Sequence, residues 1–115
     1  MKRLRTVALV LAGVLLLALA VLATPAYLQL FRRVEKPPPG TTLEKARCLT
    51  CHIKPAGGKR LNPYGEDFRK NGADEAALRK IRPLDSDSDG ATNTIEIAAG
   101  SLPGDARSKP SNEGK

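Results

Sequence analysis

Cys48-Leu49-Thr50-Cys51-His52 is the stretch of this 115-residue sequence on which its fold depends. Two thiols three positions apart lie on one helical turn, and an imidazole directly follows the second thiol. This spacing lets each thiol form a thioether with a vinyl group of haem while the imidazole binds the iron. We therefore predict haem c as a cofactor, with Cys48 and Cys51 as its thioether anchors and His52 as the axial iron ligand.

Two other chemistries are compatible with the same five residues. A disulfide or a thioredoxin-like dithiol needs only the two cysteines, but no βαβ pattern surrounds them. Tetrahedral zinc needs a fourth ligand and usually a second Cys/His pair, whereas the whole sequence holds two cysteines and one histidine. Haem attachment is the favoured interpretation, and the alternatives predict a colourless protein.

A second segment, LNPYGEDFRKNG at residues 61–72, follows the cysteine motif. Together the two segments resemble small exported bacterial monohaem c-type cytochromes, in which an LNxFGxxFxxNG segment comes after CxxCH. The resemblance implies a small helical cytochrome c-like domain that transfers one electron at a time. Ile53-Lys54-Pro55 is also similar to the class I cytochrome arrangement, which implies that the Pro55 carbonyl accepts the N–H of His52.

Tyr64 and Phe68 are four residues apart in this second segment, so they share one face of a short helix. We expect that face to cover the haem. An aromatic pair that only fills a core is the alternative, and the two interpretations are compatible because haem would form the core.

The usual second axial ligand is missing from the sequence. Cytochromes that carry electrons usually add a second His or a Met to the proximal His, but His52 is the only histidine and Met1 the only methionine. The iron is then five-coordinate, binds water or a small ligand, borrows a ligand from another chain, or uses Tyr64, Asn62 or Lys59. An open haem site that binds CO or NO is therefore an alternative function.

Residues 85–96, DSDSDGATNTIE, match the twelve-residue calcium loop of EF-hands. Gly90 permits the sharp turn, and neighbouring carboxylates repel each other unless a cation neutralises them, which argues against a merely solvated acidic loop. The loop also resembles bacterial thrombospondin type 3 repeats and dockerin-like loops, which implies a structural calcium ion. A calcium-stabilised structural or adhesion module without haem is a third possible function. The predicted calcium ligands are Asp85, Asp87, Asp89, the Ala91 carbonyl, Asn93 and Glu96.

An uncharged run from Val7 to Phe31 has three basic residues on each side. At about 1.5 Å per residue it is long enough to cross a bilayer. We expect an uncleaved transmembrane helix within residues 1–31 and a single-pass location in the cytoplasmic (inner) membrane. The flanking charges leave the orientation open, and the resemblance to c-type cytochromes implies that the C-terminal domain faces the periplasm. A signal peptide cleaved near Thr24-Pro25-Ala26, which releases an exported protein, is the alternative.

The predicted fold is thus mainly α: a transmembrane helix, then a small helical domain with a single calcium-binding loop. Most of the net charge of +7 comes from residues 1–40, and no basic stripe interleaved with aromatic residues is present, so nucleic acid is not an expected partner. The expected partners are the lipid bilayer and a redox protein in the periplasm or membrane. No nucleophile and base pair indicates an enzyme. The segments are a Pro-rich linker at 32–40, a haem-binding helical region at 41–82, the calcium loop at 83–102 and a disordered tail at 103–115.

Overall fold

The computed structural model describes residues 2–8 and 26–110, and within these ranges the chain is mainly helical with no β-strand. Residues 2–8 are a short helical stretch. The other elements are α1 (Ala26–Glu35), α2 (Thr42–Ala46), a 3-10 helix (Arg47–Thr50), α3 (Pro63–Lys70), α4 (Glu75–Ile81) and α5 (Asn93–Ala99).

Side-chain caps begin four of these helices, because a capping oxygen satisfies a backbone N–H that has no partner within the helix. The caps are Thr41 for α2, Asn62 for α3, Asp74 for α4 and Thr92 for α5. The end of α5 is equally well defined, since Gly100 adopts the left-handed conformation with φ 75°. A Cβ on Gly100 would overlap the Thr41 side chain, and the Gly100 carbonyl accepts from Leu43 N at 2.9 Å. The last helix therefore docks directly on the start of α2.

The core lies where α1, α3 and α4 meet. Glu35, at the end of α1, pairs with Arg82 just after α4 at 3.2 Å, and its side chain is only 5% exposed. The buried apolar residues are Phe31, Leu43, Tyr64, Phe68, Ala77, Leu78, Ile81 and Ile97.

The prediction of a transmembrane helix is corrected by the structure. In the part of the chain that the structure describes, no helix has both the length and the apolar character needed to cross a membrane. Residues 9–25, on which most of the predicted span falls, lie outside the described residues. The prediction of a single-pass location in the inner membrane, with the bilayer as a partner, depended on that helix and is corrected with it.

The end of the predicted span belongs to the folded domain. Phe31 is 2% exposed, and its ring meets Tyr64 edge-on with the ring centroids 6.1 Å apart. Tyr27 meets Phe68 in the same way at 5.5 Å. The sequence misled because the hydrophobic effect is non-directional, so an apolar face that packs on a protein core resembles one that packs on lipid.

Two predicted segment boundaries also differ from the structure. Residues 32–35 were assigned to the linker, but they complete α1, where the Glu35 ion pair holds them. The tail, predicted to be disordered from residue 103, is folded at its start: Gly104 is buried so closely against Asn62 that a Cβ would overlap its amide. Ser108 Oγ then accepts from Leu102 N at 2.9 Å. Residues 111–115 lie outside the described residues.

Candidate functional site

The cysteine motif forms a tight turn at the end of the 3-10 helix. The Cys48 carbonyl accepts from both Cys51 N at 3.2 Å and His52 N at 2.8 Å. An isolated antiparallel bridge then pairs His52 with Leu61, which brings the start of α3 back to the motif. Local backbone bonds therefore gather the two thiols and the imidazole around a single turn.

Asn62 holds this turn in place from the N-terminus of α3. Its Nδ2 donates to the Leu49 carbonyl at 3.0 Å and to the Thr50 carbonyl at 3.1 Å, while its Oδ1 accepts from Gly65 N at 2.9 Å. Gly65 is buried, and a Cβ there would overlap the carbonyl oxygen of Cys51. The Asn-Pro-Tyr-Gly sequence thus lets α3 approach the motif at backbone contact distance.

A cavity of about 200 Å³ lies between the motif and α1. Cys48, Cys51 and His52, the three predicted haem-attaching residues, all line it, so the structure brings them together. The remaining lining residues are Tyr27, Leu28 and Phe31 of α1, Arg47 and Thr50 of the 3-10 helix, and Ala56, Gly57 and Gly58 of the following loop.

Tyr64 and Phe68, the other predicted pocket residues, do not line this cavity. They lie one layer behind it, where Tyr64 packs on Phe31 and Phe68 packs on Tyr27. The prediction placed them beside the haem, whereas in the structure they lie behind the cavity wall and not on it. Their packing supports the α1 wall, which sequence reasoning missed because the continuous apolar run hides which residues of α1 face the domain.

The predicted hydrogen bond between His52 and the Pro55 carbonyl is absent from the structure. His52 Nδ1 is buried without a hydrogen-bond partner among the described residues, and Pro55 is exposed. The loop instead turns through a bond from Gly57 N to the Lys54 carbonyl at 3.0 Å. Gly57 has φ +80°, a conformation that favours glycine, whereas a Cβ there would make only ordinary contact with His52 Nε2 at 3.9 Å.

Both thiols are free, and the surroundings of Cys51 disfavour its thiolate form. Burial, with the charge of a Cys48 thiolate next, raises the pKa of Cys51 to about 12. A thiol with so high a pKa is a poor zinc ligand and a slow nucleophile in disulfide exchange. Among the residues that the structure describes, the motif also has no further histidine, cysteine or carboxylate grouped with it as a metal site.

Two polar groups of the cavity wall suit an acidic ligand group. Thr50 is 2% exposed and its Oγ1 has no hydrogen-bond partner in the described part of the chain. Arg47 lies at the edge of the same cavity, is exposed, and pairs with no carboxylate within the described ranges. An apolar cavity with two thiols, one imidazole and a cation at its edge fits haem, whose ring is apolar and whose propionates are acidic.

The calcium loop has its own cluster of carboxylates. Oxygens of Asp85, Asp87 and Asp89 lie within 4.8 Å of one another. Asp85 shapes the loop, because its two oxygens accept from Asp89 N at 3.1 Å and from Gly90 N at 2.9 Å. The loop is therefore organised by its own side chains before any cation is considered.

Glu96, the predicted bidentate ligand, is the most unusual residue of this cluster. It is 0% exposed, and neither of its carboxylate oxygens has a hydrogen-bond partner in residues 26–110. One oxygen each of Asp87 and Asp89 is also buried and unpaired. Burial, with the charges of Asp87 and Asp89 next, raises the pKa of Glu96 to about 8, and burial with the charge of Asp89 raises that of Asp87 to about 6. These four buried oxygens without donors are of the kind that calcium binds, and they would supply part of the roughly six to eight ligands that it takes.

Asn93 differs from its predicted role as a calcium ligand. Its Nδ2 donates to the Ile81 carbonyl and to Ser86 Oγ, both at 2.8 Å, and its Oδ1 accepts from Ser86 N at 3.4 Å. The amide therefore links the loop to α4. Ser86, which sequence reasoning did not single out, donates from Oγ to Asp67 Oδ2 of α3 at 2.7 Å. The loop is thus attached to the helix that holds the cysteine motif.

We compared the chain with protein-family models, with curated proteins and with solved structures, and none of the three comparisons found a match. The functional assignment consequently depends on the two sites themselves.

Proposed function

We propose that the protein is a monohaem c-type cytochrome, an electron carrier and not an enzyme, with one structural calcium ion. The observation that carries this proposal is that Cys48, Cys51 and His52 line one cavity whose far wall is an apolar helix face. Among the described residues, the hydroxyl of Thr50 has no hydrogen-bond partner and Arg47 has no carboxylate partner. Both groups are therefore free to bind the propionates of haem.

Bound haem supplies an iron centre that accepts and releases one electron. The residues of the chain do the rest. The two cysteines would hold the ring covalently, His52 would bind the iron, and Phe31 would provide apolar contact for the ring. Because burial favours the less charged state of the iron centre, this wall tunes the reduction potential.

The calcium ion has a structural role in this proposal. It neutralises Asp85, Asp87, Asp89 and Glu96, whose mutual repulsion otherwise opposes the folded loop. The bond from Ser86 to Asp67 then transmits the stability of the loop to α3. A small domain with a short apolar core benefits from such a cation, as it does from covalently attached haem.

The redox partner is expected to present an acidic surface. Five exposed cations lie within about ten residues of the cysteine motif along the chain, and in the described part of the chain none of them is within ion-pair distance of a carboxylate. Such a basic rim steers an acidic partner toward the haem edge. Electron transfer to that partner should therefore slow as ionic strength rises. The five residues are Lys45, Arg47, Lys54, Lys59 and Arg60.

Covalent haem attachment is the first test. The protein is produced together with a cytochrome c maturation system, denatured, and examined for haem by mass and by haem staining. We expect one haem per chain in the wild type and none in the Cys48→Ala/Cys51→Ala double variant. Each single variant should retain at most one thioether. A colourless wild-type protein that still binds calcium contradicts the cytochrome proposal and favours the calcium-stabilised module.

Reversible one-electron titration then separates electron transfer from ligand binding. A specific observation favours the second candidate, a haem protein with an open site: His52 is the only histidine and Met1 the only methionine. An electron carrier exchanges electrons rapidly with an acidic redox protein. If haem is attached but exchange is slow and CO binds the reduced protein at once, the ligand-binding function replaces electron transfer.

A further inference from the structure

The structure removes the three residues that the sequence offered for the second face of the haem. Tyr64 is completely buried and off the cavity wall, and its ring packs on Phe31. The amide of Asn62 is occupied by three hydrogen bonds to the backbone. Lys59 is exposed and does not line the cavity. None of the three lines the cavity that Cys48, Cys51 and His52 share.

The wall formed by α1 offers a different group. Tyr27, Leu28 and Phe31 are the α1 residues that line the cavity, and only Tyr27 has a polar side-chain atom. Of the remaining polar lining residues, Thr50 belongs to the same turn as His52, and Arg47 is a donor without an acceptor atom. Tyr27 is therefore the one lining residue, from a segment other than the motif and its loop, that has an oxygen lone pair.

Tyr27 is held in place on one side and open to solvent on the other, as a residue that contacts a small exchangeable ligand of the iron should be. Its ring is held edge-on against Phe68 at 5.5 Å, which defines the position of the side chain. The residue is nevertheless 59% exposed, so small molecules can reach its hydroxyl from solvent. A phenol both donates and accepts hydrogen bonds, and it is also a known axial haem ligand.

We propose that Tyr27 is the distal residue of the haem site, with its hydroxyl directed to the sixth coordination position of the iron opposite His52. This inference rests on the proposed function. It assigns α1 to the binding of haem and of small diatomic ligands, and it makes Tyr27 the group that contacts whatever occupies the sixth position.

The test uses the full-length, haem-loaded protein and compares Tyr27→Phe with Tyr64→Phe. The second variant is a matched control, because Tyr64 also loses a hydroxyl without a hydrogen-bond partner but lies off the cavity. We expect Tyr27→Phe to raise the C–O stretching frequency of the ferrous CO complex and to speed CO dissociation about five-fold, the effect of one lost hydrogen bond. Tyr64→Phe should leave both unchanged. If the wild type does not bind CO and Tyr27→Phe does, the proposal is also supported. In that case the phenol of the wild type would itself occupy the sixth coordination position.

A second variant tests the placement directly. Tyr27→His should give a six-coordinate, low-spin haem with two imidazole ligands, whereas Tyr64→His should not. The proposal is overturned if Tyr27→Phe behaves as the wild type, if Tyr64→Phe gives the same shift, or if Tyr27→His stays five-coordinate. A chain without covalent haem overturns the proposed function as well, and the haem stain distinguishes that failure from a failure of the distal assignment alone.

Discussion

The cavity beside the cysteine motif and the acidic loop at residues 85–96 are built in opposite ways. Burial raises the pKa of Cys51 to about 12 and that of Glu96 to about 8, because the charged form of each is disfavoured away from water. Around Cys51 the walls are mostly apolar, and backbone hydrogen bonds hold the turn. Around Glu96 the neighbours are carboxylates of like charge. Packing thus organises the first site, whereas hydrogen bonds from its own side chains shape the second, whose like charges a cation would offset.

The largest expected effect comes from breaking the packing of the first site. Gly65→Ala places a methyl group where it overlaps the Cys51 carbonyl. Because the overlapped atoms belong to the backbone of Cys51 and not to a flexible side chain, they cannot move away. We expect a loss of more than about 3 kcal/mol in the free energy of unfolding and little covalent haem. Urea denaturation and haem staining measure the two. Gly40→Ala is the control, because it meets no atom within 4 Å and costs only the strain of φ +76°, about 1 kcal/mol. Equal losses for the two variants contradict the close approach of α3.

Asn62→Ala tests the hydrogen bonds of the same site. The change removes the donor to two carbonyls and the cap of α3, so we expect a loss of about 3 kcal/mol in unfolding free energy. Asn71→Ala is matched to it, since Asn71 donates a single half-buried bond to the Asp67 carbonyl. That control should lose less than about 1 kcal/mol by the same denaturation measurement.

The stability that the acidic loop contributes should depend on calcium and on pH, whereas the stability that the cavity contributes should not. The folded-state pKa values of Asp87 and Glu96, about 6 and about 8, exceed their ordinary values of 3.8 and 4.5. The stability that the protonated groups provide is therefore complete below about pH 4 and is lost as pH rises through about 6 and then about 8. Without calcium the protein should melt at a lower temperature at pH 8.5 than at pH 5.

Calcium should reverse this loss at high pH. At a concentration one hundred times its dissociation constant, we expect a gain of about 2.7 kcal/mol. Thermal melts with calcium or with a chelator at both pH values measure it. Glu96→Gln should abolish most of the calcium effect, whereas Glu75→Gln should not, because Glu75 is exposed and its pKa is lowered by a hydrogen bond with Arg79. A calcium effect that survives Glu96→Gln would argue against the predicted site.

The smallest effect concerns the link between the two sites. Ser86→Ala removes the bond to Asp67 and the bond that Ser86 Oγ accepts from Asn93 Nδ2, and we expect a loss of about 2 kcal/mol. A double-mutant cycle with Asp67→Ala, followed by urea denaturation, isolates the interaction between the two side chains. A coupling energy of zero would mean that the sites are stabilised independently, so that calcium does not act on α3 through this bond.

The sequence predicted those features that depend on neighbours along the chain. Thr41 and Asp74 directly precede the helices that they cap, and α5 ends at Gly100, all of which are signals that lie within a few residues of the helix ends. Spacing alone places Cys48, Cys51 and His52 around one turn and brings the first three aspartates of the loop together. These patterns are readable because caps, turns and loops are made by residues a few positions apart, and their geometry follows from local backbone conformation.

The tertiary structure decided what each surface meets. The apolar run that ends at Phe31 reads as a membrane span, yet its last turns form α1 and one wall of the cavity. In the sequence, Asn62 is a possible iron ligand and Asn93 a predicted calcium ligand, yet both are buried links between segments distant along the chain. The physical reason is the same in each case. The hydrophobic effect and the saturation of buried polar groups act on whichever surfaces the fold brings into contact, and sequence spacing does not encode those partners.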